Sequence, residues 1–329
     1  MIRCGVIGFG KMGRIRAAAI EATGLGRVTL VYDPLENLIT DYPVATSAED
    51  LIGSSNVDAV FVCTPNMLIA ELCASALRAE KHVFSEKPPG LNADDVEKVL
   101  AVQRGIKSVK LMYGFNHRHH DSVKRMHEIV KSRELGKILW MRGRYGKEVD
   151  SAYFKGWRAD PKLSGGGILL DQGIHMVDLL LQFGDKFDEV KSFVSNLFWK
   201  IDGIEDNVFS ILRNSETGCC ASLHSTMTQW RYLFSLEIFL EGGALILNGL
   251  KTSSGAYGDE VLTVRRNRSY FSRGRVHEDS VISYTVDNSW HSEVSHFFDC
   301  VKLDLEPKFG TGEDAFKLMQ LIDRIYLET

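Results

Sequence analysis

One stretch near the start constrains this chain more than any other. Gly8-Phe9-Gly10-Lys11-Met12-Gly13 is a G-x-G-x-x-G run between an apolar segment, Ile2–Ile7, and a helix-forming segment, Lys11–Ala22. Strand, tight turn and helix form the context in which such a run has a mechanism. Gly8 permits the turn, Gly10 lets the backbone approach a bound pyrophosphate, and Gly13 lets helix and strand pack closely. The free N–H groups at the helix start favour an anion there.

Asp33 follows 20 residues after Gly13, at the end of a second apolar run, Val28–Asp33. An acid at that place accepts hydrogen bonds from the adenosine ribose of a dinucleotide. A carboxylate repels a 2′-phosphate, and the next residues, Pro34-Leu35-Glu36, supply no arginine, so the pattern favours NAD over NADP. S-adenosylmethionine and FAD are the competing occupants.

The first third of the chain continues to alternate. Ala59–Cys63, His82–Ser85 and Val109–Phe115 read as buried strands. Between them lie a short helix capped by Ser47, an alanine-rich helix over Met67–Ala79 and a helix over Asn92–Arg104. Strands alternating with helices imply a parallel sheet with right-handed crossovers. The pattern then changes. A helix near Ser122–Lys131, a strand near Ile138–Tyr145 and a helix over Gly165–Gln182 are followed by strand-like runs with no helix between them: Glu189–Lys200, Asn207–Arg213, Cys219–Thr228, Leu233–Leu240 and Ala244–Leu247. That succession implies an antiparallel sheet. Helices near Ser289–Lys302 and Gly312–Leu327 close the chain. The expectation is an α/β Rossmann domain over residues 1–120 and an α+β substrate-binding and oligomerisation domain over 121–329. The second domain has an open, mainly antiparallel sheet, and the last helix is free to pack back on the first domain. The sheet's second face needs a cover, which points to a homo-oligomer, a dimer or tetramer.

Composition narrows the class further. With 329 residues the chain is long enough for two domains with large cores. It is 44% hydrophobic and 25% charged, with a net charge of −4, a balance that speaks against a nucleic-acid partner. The six cysteines, Cys219-Cys220 among them, form no C-x-x-C pair or Cys/His ladder, which implies a reducing compartment and no structural metal. The run before the glycines is too short for a signal peptide, and no run reaches the ~20 apolar residues that span a bilayer. The expected location is the cytoplasm, with no membrane partner.

Two segments carry candidate chemistry. Glu86-Lys87-Pro88 follows the His82–Ser85 strand, and ligands of open α/β sheets bind beyond the carboxyl ends of strands. Pro88 restricts the backbone of Lys87. Farther on, Gly165-Gly166-Gly167 precedes Asp171, His175 and Asp178, whose spacings of four and three put all three on one face of a helix. A histidine between carboxylates suits proton transfer. Asp178 reads as support, bracing backbone or His175. His117, His119 and His120 alternate in a way that suits metal ligation poorly; with Asn116 and Arg118 they read as the rim of a substrate pocket. Arg142, Arg144, Lys147, Lys155 and Arg158 make this region basic, which fits either an anionic substrate or solvated charge on sheet edges.

Taken together, the Gly8–Gly13 loop, Glu86-Lys87-Pro88 and the Gly166-Gly167…Asp171…His175…Asp178 segment resemble the glucose-fructose oxidoreductase, inositol dehydrogenase and rhizopine catabolism (Gfo/Idh/MocA) family. Thr64-Pro65-Asn66, Trp157-Arg158 and the closing Gly312-Glu313-Asp314-Ala315 segment fit it too. The resemblance implies hydride transfer between a nicotinamide and a secondary alcohol or ketone of a sugar, cyclitol or nucleotide-sugar. It implies an oligomer formed through the second sheet. It marks Lys87, Asp171 and His175 as catalytic, and Lys87, Asn116, Arg118, Asp171 and His175 as substrate-binding. Gly8, Phe9, Gly10, Lys11, Met12, Gly13, Asp33, Thr64, Pro65, Asn66, Glu86, Lys87, Trp157 and Arg158 match positions at the cofactor. One departure stands out: where the family often has a histidine about three residues after the Asn66 position, this chain reads Met67-Leu68-Ile69-Ala70. A non-catalytic dinucleotide-binding sensor is the alternative reading, since fold does not fix function. Imine reduction, glycosidic cleavage through a transient ketone and substrate-to-substrate hydride exchange are alternative reactions.

Overall fold

The computed structural model describes residues 1–35, 37–106, 108–267 and 279–328. Its first elements are β1 (Ile2–Ile7), α1 (Lys11–Ala22), β2 (Gly26–Tyr32), α2 (Ala48–Gly53), β3 (Ala59–Val62), α3 (Asn66–Arg78), β4 (His82–Glu86), α4 (Ala93–Arg104) and β5 (Leu111–Gly114). Next come α5 (Asp121–Ser132), β6 (Ile138–Glu148), the single turn α6 (Pro161–Ser164) and α7 (Ile174–Gly184). The strands β7 (Glu189–Ser195), β8 (Asn207–Arg213), β9 (Cys220–Thr226), β10 (Thr228–Leu240), β11 (Gly243–Asn248), β12 (Glu260–Arg266) and β13 (Ser280–Tyr284) follow. The chain ends in α8 (Ser289–Leu303) and α9 (Gly312–Leu327).

The chain forms two compact units. One holds residues 1–116, 162–165 and 289–320; the other holds 117–161, 166–288 and 321–329. α8 and the start of α9, last in sequence, thus belong with the first unit.

The first unit is built on a parallel sheet ordered β2-β1-β3-β4-β5, a doubly wound Rossmann arrangement. Its strands are apolar without alternation because both faces are covered. Phe61, Phe84, Phe297 and Phe298 meet at ring-centroid distances of 5.0 to 6.1 Å, so α8 supplies part of this core. Local signals act as the sequence suggests: Ser47 Oγ accepts from Asp50 N, and Asn92 Oδ1 from Asp95 N, closing the starts of α2 and α4.

The second unit is built on an eight-stranded mixed sheet, ordered β13-β12-β11-β10-β6-β9-β8-β7. Every neighbouring pair is antiparallel except β6 with β9. Along β8, Val208, Ser210 and Leu212 point inward, and the outward face is apolar as well: Phe209 and Ile211 are exposed, and Phe193 on β7 is 78% exposed. Phe193 pairs across strands with Phe209, and Phe209 with His224.

Several features of the second unit differ from the sequence expectation. β7 stops at Ser195 rather than running to Lys200, because the Asp206 carboxylate takes the backbone N–H groups of Leu197, Phe198 and Trp199, drawing them out of the ladder. β12 and β13 were not legible. The helix expected over Gly165–Gln182 does not begin as an α-helix: Leu169–Gly173 forms a π-turn before α7.

Candidate active site

In the first unit the glycine loop closes the crossing from β1 to α1. Gly8 has φ +86°, and a Cβ there would lie 2.5 Å from the Cys63 carbonyl oxygen. A Cβ on Gly13 would overlap the carbonyl oxygen of Gly8, the close approach of helix to loop that this position requires. Above Gly10 there is only open space. α1 starts there with no side-chain cap and no acid in its first turn, so its N–H groups are available to an anion. Beside the loop, Thr64 Oγ1 is buried with no hydrogen-bond partner among the described residues. Open space over Gly10, uncapped N–H groups and an orphaned hydroxyl fit a dinucleotide.

Asp33 follows β2 directly. Its Oδ2 accepts from Phe9 N at 2.8 Å and its Oδ1 from Leu35 N at 3.1 Å, so it also holds the glycine loop in shape. Glu36 lies outside the described residues. The ring of Phe9 is buried, while Lys11 is exposed and Met12 partly so. Pro65 caps α3, and Asn66, its first residue, donates to the Ser164 carbonyl. Glu86, the last residue of β4, is buried and paired with Arg16. Lys87 follows it, half-buried, with a cis peptide bond to Pro88. Asn116 is buried and donates to Ser289 Oγ.

In the second unit, two polar groups form around the π-turn and α7. The first centres on Asp171. Its carboxylate is paired with Lys147 Nζ, accepts from Tyr153 Oη at 2.8 Å and is reached by Arg158 Nε at 3.3 Å. Lys147 also lies 4.3 Å from the Tyr153 ring centroid, and Arg158 lies over Trp157. Burial and the neighbouring Asp171 charge push the Tyr153 phenol far above its ordinary value, so it stays a donor. The second centres on His175, which is buried with its ring stacked on that of His117 at 3.9 Å and 15°. His117 Nε2 shares a hydrogen bond of 2.9 Å with Tyr145 Oη, and Tyr257 Oη donates to Gln172 Oε1. Burial raises the Tyr145 and Tyr257 phenols well above their usual range.

The remaining candidates divide. Asp178 pairs with Arg118, whose Nε donates to Oδ2 at 2.8 Å, and both side chains are buried. His120 Nδ1 bonds Glu260 at 2.9 Å. Burial opposes the charge of Glu260, but His120, Ser122 and the backbone N–H of Lys251 together outweigh it and lower the carboxyl. The basic run splits by strand parity. Arg142 and Arg144 reach Glu237 on β10, at 2.7 and 3.9 Å, whereas Lys147 is buried on the same side as Met141, Gly143 and Tyr145.

Sequence reasoning did not assign Lys147, Tyr153, Tyr145, Tyr257 or Gln172 to the two groups. Period-two counting along β6 was the available signal for Tyr145 and Lys147; Gln172 adjoins Asp171, whereas Tyr153 and Tyr257 come from other segments. It also missed Glu205. That carboxylate accepts from Gly167 N at 2.6 Å, Leu169 N at 2.8 Å and Tyr326 Oη at 3.0 Å, and so fixes the approach to the π-turn.

Comparison with known proteins agrees with this fold. Residues 2–115 match the sequence model of an oxidoreductase family with an NAD-binding Rossmann fold, and residues 123–246 match that of the GFO/IDH/MocA C-terminal domain. Inositol 2-dehydrogenase of Rhizobium meliloti is 29% identical, covering 98% of this chain and 95% of its own. Myo-inositol 2-dehydrogenase of Thermotoga maritima is 26% identical, covering 95% and 92%. Among solved structures, levoglucosan dehydrogenase in complex with NADH and levoglucosan superposes with a TM-score of 0.87 at 18% identity, covering 99% of this chain and 96% of that one. A 3-ketoreductase from Actinomadura kijaniata, in complex with NADP and TDP-benzene, has a TM-score of 0.85 at 23% identity, covering 99% and 97%. Both halves of the sequence, the parallel sheet with its glycine loop and the open mixed sheet thus lead to one assignment: the chain belongs to the Gfo/Idh/MocA family of oxidoreductases.

Proposed function

We propose that this protein transfers hydride between NAD and a secondary alcohol or ketone of a sugar, cyclitol or nucleotide-sugar. The observation that carries this reading is the pair of polar groups around Asp171 and His175, because they hold an oriented carboxylate on the π-turn and a proton acceptor at the start of α7, which follows it directly. The names of the relatives, dehydrogenases of inositol and levoglucosan and a 3-ketoreductase, support the substrate class.

When bound, the nicotinamide supplies the hydride acceptor or donor. His175 takes the hydroxyl proton in oxidation and returns it in reduction, a task suited to an imidazole at neutral pH. Lys87 donates a hydrogen bond to the reacting oxygen and stabilises developing alkoxide charge. Asp171, held by Lys147, Tyr153 and Arg158, accepts from a substrate hydroxyl and fixes its orientation. Asn116 and Arg118 complete the substrate contacts. The cofactor contacts are Gly8 to Gly13, Asp33, Thr64, Pro65, Asn66, Glu86, Lys87, Trp157 and Arg158. NAD is favoured over NADP because the half-buried Asp33 carboxylate opposes a 2′-phosphate.

Residues 1–120 serve as the cofactor domain and 121–329 as the substrate and assembly domain. The apolar outward row of Phe193, Phe209 and Ile211 supports assembly of a dimer or tetramer through the second sheet. No helix among the described residues is long and apolar enough to cross a membrane, and all six cysteines are free, which fits the reducing cytoplasm.

The test is absorbance in the reduced-nicotinamide band after adding NAD with a panel of cyclitols, sugars and nucleotide-sugars. A substrate-dependent rise is expected. Confirmed NADH binding with no turnover in either direction across the panel counts against the reading.

A further inference from the structure

The interior of the first unit contains a cluster around Arg16, of which the proposed function uses Glu86 alone. Arg16, on the second turn of α1, is fully buried. Its Nε donates to Glu86 Oε1 at 2.5 Å, and its Nη1 lies 2.6 Å from Glu293 Oε2. Its guanidinium carbon lies 4.5 Å from the Phe84 ring centroid and 4.6 Å from that of Trp290. A Cβ on Gly114 would lie 2.7 Å from Nη2, so the end of β5 leaves room for the guanidinium only as glycine. One side chain therefore ties together α1, β4, β5 and α8.

Such a cluster is a poor source of stability, since a well-packed apolar set of the same volume does as well or better. What it provides is direction. Charge-assisted bonds to a planar guanidinium fix both distance and angle. Glu86 receives such a bond from Arg16 Nε, while Glu293 meets Nη1 as an ion pair, and Glu86 is the residue immediately before Lys87.

We propose that Glu293 is a positioning residue for Lys87: through Arg16 and Glu86 it fixes the end of β4 from which Lys87 leaves the sheet. The role of Lys87 itself rests on the proposed function; the mechanical link from Glu293 to Lys87 does not.

The charge count gives the link a signature. Two carboxylates face one guanidinium. Burial, opposed by Arg16 and reinforced by Glu86, pushes Glu293 up to about 7. The other titratable group facing Arg16 is the Cys63 thiol, which burial pushes so far up that it stays protonated. Near neutral pH, then, loss of the Glu293 proton turns a neutral cluster into an anionic one beside an ammonium-bearing residue.

The test uses full-length protein labelled with 13C at the lysine Cε. The Lys87 resonance is the one missing from Lys87→Met. In wild type it should show a titration step near 7, and in Glu293→Gln it should shift and lose that step. NADH binding should persist, because the glycine loop, Asp33 and Thr64 are untouched. If Glu293→Gln does not fold, Glu293→Asp, which keeps the charge but shortens the reach, should shift the same resonance. A Lys87 resonance unmoved in a variant that folds and binds NADH overturns the proposal. So does a general shift of lysine resonances with a lowered Tm, which makes Glu293 merely structural. Failure of the proposed function is read separately, as turnover that survives in Lys87→Met.

Discussion

The imidazole of His117 lies flat against that of His175, with centroids 3.9 Å apart and planes 15° from parallel. The contact fixes the ring orientation of the proposed base from the side, while Tyr145 fixes His117 in turn. A stacked aromatic pair is worth about 1 kcal/mol beyond area burial. His117→Ala should lower kcat/KM by roughly tenfold. His117→Phe, which keeps a flat ring, should recover most of it. Steady-state kinetics on the substrate found in the absorbance panel checks both.

Lys87→Met should abolish turnover while leaving NADH binding largely intact, because the glycine loop, Asp33 and Thr64 are unchanged. Fluorescence titration with NADH and the absorbance assay read the two halves of the expectation. Substantial turnover in this variant removes Lys87 from the chemistry.

Lys147 and Asp171 form an ion pair whose side chains are only 8% and 13% exposed. Removing Lys147 strips the largely buried Asp171 of one cation and leaves it Arg158 and Tyr153, at a cost of up to about 3 kcal/mol. Lys147→Met should therefore lower the unfolding free energy, read from urea titration, by an amount of that order. Lys147→Met with Asp171→Asn should recover part of the loss, as a double-mutant cycle would show.

Asp33 both braces Phe9 N and presents a carboxylate beside the loop. Asp33→Ala should weaken NADH binding by roughly tenfold, since one charge-assisted bond in the loop is lost. The ratio of NADPH to NADH affinity should rise in the same variant. Arg14, whose guanidinium donates to the Ile39 carbonyl, is the cation on α1 that a 2′-phosphate could then engage.

Glu293 gives a pH prediction of definite sign. Its carboxyl is raised from its ordinary value to about 7, chiefly by burial. Between the unfolded and folded values the native state holds the proton and the unfolded state does not. The stabilisation is thus complete below about 4.5 and is lost as pH rises through about 7. Glu293→Gln should flatten the fall in stability between these limits, measured as urea midpoints across the window.

Much of the first unit was legible because its signals are local. The run from Gly8 to Gly13 requires a turn of one shape, and Ser47 and Asn92 announce their helices. The second unit was legible only in outline. Strand parity on β6 separates Lys147 from Arg142 and Arg144, but nothing local says that Tyr257 comes back to Gln172, or that Glu205 takes the N–H of Gly167. β12 and β13 were missed because both are short runs set beside charged residues, Asp259-Glu260 and Arg265-Arg266 around the first and Glu278-Asp279 before the second. Asp178 reads as support for backbone or for His175, and only the fold shows that it meets Arg118.

The π-turn at Leu169–Gly173 has a consequence for how helix faces are counted along this segment. It holds one residue more than an α-helical turn, and so it offsets the phase of everything after it by about 100°. Asp171 sits inside the offset and His175 beyond it. Deleting a single residue from the turn would return the helix to regular phase and rotate His175 off His117 and Asp178 off Arg118 together. The two partnerships share one phase setting, so a change in the length of this turn cannot spare either of them.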